Sequence, residues 1–191
     1  MARLPGGISA SLRRLRQDPP EWEFADLRLR RYTPRDHPAA FTLHQECLFR
    51  VGLHPGDGVY YDDDFARIEE IYLRGRGEFL VGEIGGQMAA LGGLRRVDDV
   101  TAEMVRLRVR PDLQGRRYGA ALVTVLEQRA AELGYRVLRA DTTVRQRAAI
   151  ALYRSFRWRE VDRKVTGGTV TVYFEKQLGR PPVGGGEDPA G

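Results

Sequence analysis

Between positions 107 and 122 the chain reads Leu-Arg-Val-Arg-Pro-Asp-Leu-Gln-Gly-Arg-Arg-Tyr-Gly-Ala-Ala-Leu, an alternating strand that passes through a turn rich in Gly and Arg into a helix. The start of a helix leaves its first backbone N–H groups without intrahelical partners and carries partial positive charge. Arg108, Arg110, Arg116 and Arg117 add formal charge around it. Such a turn suits a pyrophosphate held largely by main-chain amides. A nucleoside triphosphate fits less well, because Gly119 is followed by Ala-Ala-Leu and not by the Lys-Ser/Thr of a triphosphate loop. A dinucleotide fits less well too, since there is no G-x-G-x-x-G with an acidic residue about 20 positions on.

Just upstream, Glu103, Val105, Leu107 and Val109 share parity along the strand, which sets one carboxylate among apolar side chains. Burial raises a carboxyl pKa and would suit Glu103 to accept a proton from an ammonium near neutral pH. A structural glutamate at the strand start, half exposed and paired with arginine, accounts for it equally well. Further along, Tyr153 falls at helical spacing near Ile150 and Leu152, as a core aromatic would, yet a phenol there could also donate a proton. Asp62, Asp63 and Asp64, preceded by Tyr60 and Tyr61, stand where a helix begins; they cap it or recognise a cationic amine. His44 and Cys47 are three apart on a predicted helix, but no further ligand has metal-like spacing, so core packing explains them and no metal is expected.

Two of these blocks resemble the GNAT acetyltransferase superfamily. Residues 114–119 resemble its acetyl-CoA-binding motif Q/R-x-x-G-x-G/A, with Gln114 first, Gly119 last, and Arg117 where the family has its first motif Gly. A conformation that Gly makes cheap must then be adopted by a residue with a Cβ, at little cost only if φ is negative. Residues 146–158 resemble N-x-x-A-x-x-L-Y-x-x-x-G-F, with Gln146 for Asn, Arg157 for Gly and Trp158 for Phe, while Ala149 and Tyr153 keep their places. The resemblance implies that Leu107 and Val109 offer main-chain hydrogen bonds to the pantetheine arm, beside a bulge where two strands splay and parity shifts. It implies that Gly115, Arg117, Gly119 and Ala120 present N–H groups to the pyrophosphate, with Gln114, Arg116, Tyr118, Gln146 and Ala149 completing the cofactor site. It also gives Glu103 the role of catalytic base and Tyr153 that of the acid protonating the leaving thiolate.

Positioning these residues requires a mixed α/β chain. Alternation over residues 26–32 predicts a strand, and Thr33-Pro34-Arg35-Asp36 an N-terminal cap for a helix reaching about residue 49. A second helix is expected over 65–73, strands over 78–83 and 88–95 around Gly85-Gly86, and a strand over 101–109. A helix over 119–133 ends at Gly134; strand 136–142, helix 147–156 and a hairpin of 160–165 with 169–175 follow. The order β-α-α-β-β-β-α-β-α-β-β predicts a mostly antiparallel mixed sheet of about seven strands flanked by four helices, which is the fold the resemblance implies over residues 26–176.

The chain's 191 residues suffice for one domain with a sizeable core, read here as 25–177 between flexible extensions at 1–24 and 178–191. The net charge of +5 is spread so that residues 1–20 hold Arg3, Arg13, Arg14 and Arg16 against Asp18, and only Lys164 and Lys176 are lysines. This pattern reads as a solvated surface, and nucleic acid is not an expected partner. The sole cysteine excludes an intrachain disulfide, and no apolar run approaches the ~18 residues of a membrane span, so a cytoplasmic protein without a membrane partner is expected. The expected activity is acetyl-CoA-dependent N-acetyl transfer to a small-molecule or peptide amine by direct attack in a ternary complex. The alternative is a non-catalytic acyl-CoA-binding module, suggested by Arg117 and Arg157 at family Gly positions. The last strand pair leaves room for a homodimer.

Overall fold

Apolar residues at every second position build most of this protein into a single sheet. The computed structural model describes residues 8–54 and 63–179, and in it nine strands lie in the order β1-β2-β3-β4-β5-β6-β7-β9-β8. They are β1 (Leu12–Arg16), β2 (Glu21–Phe24), β3 (Leu27–Arg31), β4 (Glu78–Ile84), β5 (Gln87–Arg96), β6 (Thr101–Val109), β7 (Val137–Thr143), β8 (Arg159–Thr166) and β9 (Thr169–Gln177). Among these, β6 and β7 pair in parallel and the other neighbours are antiparallel. The β4–β5 hairpin turns at Gly85 and Gly86, with φ of 56° and 77°, the mirror-image turn that two-residue hairpins favour.

The helices are α1 (Ile8–Ser11), α2 (His37–Arg50), α3 (Tyr118–Glu132) and α4 (Arg147–Ser155). α2 and α3 both pack on β5 and β6, from opposite sides. Leu43 of α2 clusters with Phe79, Val81 and Leu91, whereas Leu122 and Leu126 of α3 cluster with the alternate residues Leu80, Ala90 and Leu94. The cap ahead of α2 forms as its sequence predicts: the Thr33 N–H and Oγ1 donate to Asp36 Oδ2 at 2.7 and 3.0 Å.

Three expectations are corrected. The α-helix expected over 65–73 is a 3-10 turn (Phe65–Arg67) followed by a π-helical turn (Glu69–Leu73). Ile68 and Ile71 are weak helix formers, and the packing of Phe65, Ile68 and Tyr72 into the α2-side cluster sets the winding instead. The flexible extension and the count of about seven strands also give way, because β1 and β2 add two strands at the sheet edge. Trp22 and Phe24 are buried while Glu21 and Glu23 point outward, so this hairpin contributes to the α3-side core. Arg13 pairs with Glu23 across it, and Arg14 lies over the Trp22 ring at 5.2 Å.

Helices α3 and α4 end in the same way. At α3 the Gly134 N–H donates to Ala131 C=O and the Tyr135 N–H to Ala130 C=O; at α4 the Arg157 N–H donates to Arg154 C=O and the Trp158 N–H to Tyr153 C=O. Both are Schellman turns, whose pivot residue is left-handed. Gly134 has φ of 87°, and Arg157 holds 61° without the freedom of glycine. At α4 the turn brings the Trp158 ring within 5.1 Å of Tyr153. Trp158 Nε1 donates to buried Glu127 Oε1 at 2.8 Å, and Lys176 Nζ binds the same carboxylate at 2.6 Å. We predict that Arg157→Gly raises unfolding free energy by about 1 kcal/mol, by relieving a left-handed residue with a Cβ, while Gly134→Ala lowers it by about as much. Urea unfolding of the two variants beside wild type measures both.

Candidate active site

Parallel pairing of β6 with β7 lasts for three positions, Thr101–Val137, Ala102–Leu138 and Glu103–Arg139. Beyond them β6 continues to Val109 and β7 to Thr143, separated by a gap. The cause is a bulge at Arg106, whose φ is +57°, where the register with β5 also shifts. Val105 therefore packs with the α2-side cluster, but Leu107 and Val109 pack with the α3-side one. The parity that placed Glu103, Val105, Leu107 and Val109 on one face breaks here, immediately ahead of the expected 107–109 stretch. Downstream, the Arg110 N–H donates to Ala89 C=O at 2.8 Å, so alternation turns the main-chain groups of Val109 toward the gap. There the Val109 carbonyl accepts from Gln114 Nε2 at 3.0 Å and from the Cys47 thiol at 3.4 Å.

Arg106 is locked from outside the sheet. Its Nε and Nη2 donate to the two Asp64 carboxylate oxygens at 2.9 and 2.7 Å, Tyr72 donates its hydroxyl to the same carboxylate, and the guanidinium lies 5.8 Å from the Phe65 ring centroid. Burial pushes the Asp64 carboxyl up, but the bonds and charge of Arg106 outweigh it and hold the group below the usual range. Asp64 thus does not cap a helix with its side chain, and both its carboxylate oxygens are taken by Arg106 and Tyr72. Asp63 is exposed, and Tyr60, Tyr61 and Asp62 lie outside the described residues.

After the turn Pro111–Leu113, Gly115 (φ 81°) and Arg117 (φ 70°) lead into α3. The positive φ at Arg117 means that the motif's glycine conformation is kept, with its strain. Arg117 is the N-cap of α3, and an arginine side chain, having donors alone, cannot accept from the helix amides. The first helical bond runs from the Ala121 N–H to Arg117 C=O, so the N–H groups of Tyr118, Gly119 and Ala120 precede it. They open on a cavity of about 570 Å³. All the cofactor-site residues expected from the resemblance line this cavity except Arg116, whose side chain is exposed outside it. Arg108, Arg117, Arg145 and Arg147 surround it with positive charge. Arg145 and Cys47 had no signal in sequence, because the first comes from the turn before α4 and the second from α2, and tertiary structure alone brings them here.

A second, polar cavity of about 220 Å³ shares Leu107, Arg108, Gln146 and Ala149 with the first. Tyr153 lines it, 3% exposed and wedged between Trp158 and Phe174. Glu103 lines neither cavity; its carboxylate is bound by Arg95 and its side chain is 21% exposed. That arrangement is the paired, half-exposed glutamate that competes with the catalytic reading. The carboxylate that does line the second cavity, with Asp64, is Asp141 of β7, which sequence reading left without a role. Asp141 is an exposed residue at the mouth of this cavity, and desolvation by the protein around it, then the charge of Glu103, push its carboxyl above the usual range. His44 and Cys47 are held by packing: His44 lies 4.5 Å from the Phe65 ring, and burial pushes the Cys47 thiol up to about 11. Among the described residues no group of three or more His, Cys, Asp or Glu side chains could hold a metal ion, and no helix is long and apolar enough to cross a membrane.

The sheet's one parallel pair, β6 with β7, splays beside the N-terminus of α3, and comparison with known proteins places the chain in a family. The model of the acetyltransferase (GNAT) family matches residues 11–157, and the chain belongs to that family. Among solved structures it resembles a GNAT-family acetyltransferase of Staphylococcus aureus Mu50 (16% identity, 80% of this chain and 99% of the other, TM-score 0.71). It also resembles the Salmonella typhimurium protein yncA with its cofactor acetyl-CoA (19% identity, 83% and 97%, TM-score 0.67). A third neighbour is the ribosomal-protein-S18-alanine N-acetyltransferase of Escherichia coli (21% identity, 83% and 97%, TM-score 0.65). No curated protein matches the sequence.

The buried His44 makes stability depend on pH. Burial, then the charges of Arg108 and Arg106, press its pKa down to about 2 in the fold. The unfolded chain, with histidine near about 6.5, binds the extra proton first, so stability is lost as pH falls below that value. We predict that urea midpoints fall between pH 6.5 and 4, and that His44→Leu flattens this part of the profile.

Proposed function

We propose that this protein is an acetyl-CoA-dependent N-acetyltransferase that acts on a primary amine by direct attack in a ternary complex. The observation that carries the proposal is the joining of two cavities at Leu107, Arg108, Gln146 and Ala149: one beneath uncapped helix amides and arginines, the other lined by a carboxylate and a buried phenol. Bound acetyl-CoA would supply a thioester carbonyl for an amine to attack. The residues present fit it, since amides at 118–120 and the cationic rim suit a diphosphate, while the gap beside Leu107 and Val109 presents main-chain groups to an extended arm. Arg117 and Arg157 keep the left-handed backbone of the glycines they replace, which supports an intact cradle.

In this reading the cradle fixes the cosubstrate's orientation, so that positioning supplies much of the rate. Main-chain donors near Val109 stabilise negative charge developing on the carbonyl oxygen. Tyr153 donates its phenolic proton to the departing sulfur, and its packing against Trp158 and Phe174 holds it there. A carboxylate where β6 and β7 part takes the proton of the incoming ammonium; Glu103 and Asp141 both stand near that point.

Thiol release from acetyl-CoA, followed with polyamines, aminoglycosides, amino acids and peptides as acceptors, tests the activity. Turnover with at least one amine is expected; saturable binding with no release across the panel would favour the binding-module reading. With an accepted amine, Tyr153→Phe lowers kcat by about 100-fold and leaves acetyl-CoA affinity intact, whereas an unchanged rate removes the acid role.

A further inference from the structure

We propose that Asp141, not Glu103, is the carboxylate that binds the acceptor's ammonium and takes its proton, with Glu103 acting as a neighbouring charge that adjusts Asp141. The proposal rests on the acetyltransferase reading and assigns one role within it.

Asp141 shares a face of β7 with Arg139, the last residue that β6 covers. It is therefore the first side chain on that face to meet the gap. It lines the smaller cavity together with Tyr153, so a proton acceptor and a proton donor border one space. The surrounding charges are largely committed. From β5, Arg95 binds Glu103 of β6; Arg106 of β6 gives its fork to Asp64, which also takes the Tyr72 hydroxyl. Arg108 donates Nη1 to the Leu107 carbonyl. From β9, Tyr173 stands directly opposite Asp141, and α4 contributes Gln146 and Tyr153 to the cavity wall. Among the described residues the Asp141 carboxylate has no hydrogen bond or ion pair. A carboxylate that is open to a polar cavity and left unpaired beside three arginines is available for a cation brought from outside.

The step balances as follows. The Asp141 carboxylate takes one proton from R–NH₃⁺ and becomes a carboxylic acid. The freed nitrogen lone pair forms the C–N bond as the C–S bond breaks, and the electron pair leaves on sulfur. Sulfur takes the Tyr153 proton, and the second proton lost by nitrogen restores the phenol. Asp141 returns its proton to solvent. Since the carboxylate form is required, activity falls as pH drops through the Asp141 pKa, and removing the Glu103 charge moves that fall to lower pH.

The full chain with acetyl-CoA and n-propylamine as the acceptor probe tests this. D141N is expected to lower thiol release about 100-fold and to flatten the acid limb of kcat/KM without changing acetyl-CoA affinity, and D141E to restore part of the rate. E103Q is expected to shift the acid limb to lower pH. Carboxyl ¹³C NMR of wild type and E103Q gives a readout that needs no turnover: Asp141 should titrate above the ordinary aspartate range, fall in E103Q, and respond to added n-propylammonium. A D141N enzyme with the wild-type rate and limb overturns the assignment. So does an Asp141 resonance in the ordinary range that ignores both E103Q and the amine. Failure of wild type to bind acetyl-CoA instead overturns the acetyltransferase reading itself.

Discussion

The backbone of Arg106 is the constraint from which the site follows. A left-handed residue with a Cβ costs about 1–2 kcal/mol, and in the middle of a strand it also turns the following side chains over. Here that cost is offset by a two-pronged bond to buried Asp64, whose own desolvation is tolerable because Arg106 and Tyr72 satisfy it. Bulge and ion pair are therefore one device. It frees β6 from β7 after Glu103, sends Leu107 to the α3 side, and leaves main-chain groups facing a gap where a sheet would have bonded them to its next strand.

The second half of the site is an unclosed helix. α3 starts behind a residue that cannot cap it, so its first amides and its dipole are available to an anion. The same α3 runs back across β5 and β6 and holds Glu127, which anchors Trp158 and Lys176 and, through the turn closing α4, the ring of Tyr153. The two walls of the cleft are thus tied to one element.

How far this was legible in the sequence depended on whether the deciding force was local. The hairpin at Gly85-Gly86, the Thr33–Asp36 cap, the end of α3 at Gly134 and the turn from Gln114 into α3 carry their reasons in adjacent residues, and the structure has them where the sequence puts them. The strands at 12–16 and 21–24 were obscured by Asp18-Pro19-Pro20, although Trp22 and Phe24 alternate with glutamates; the turn residues join two strands and do not mark a tail. The π-helical turn and the bulge at Arg106 have no local marker, since both are imposed by packing against Phe79 and by Asp64, some forty residues away along the chain in the second case. Asp141 carries no mark in the sequence for the same reason: it is an exposed strand residue, and only the parting of β6 from β7 gives it a cavity to face.

The central claim is that main-chain amides at residues 115–120 hold the diphosphate of coenzyme A. Amide ¹H–¹⁵N NMR of the full-length protein titrated with acetyl-CoA tests it most directly. The account predicts saturable shifts that are largest at Gly115, Arg117, Tyr118, Gly119 and Ala120 and that weaken with rising salt. Absence of saturable binding, or shifts that spare those amides while appearing elsewhere, would contradict it.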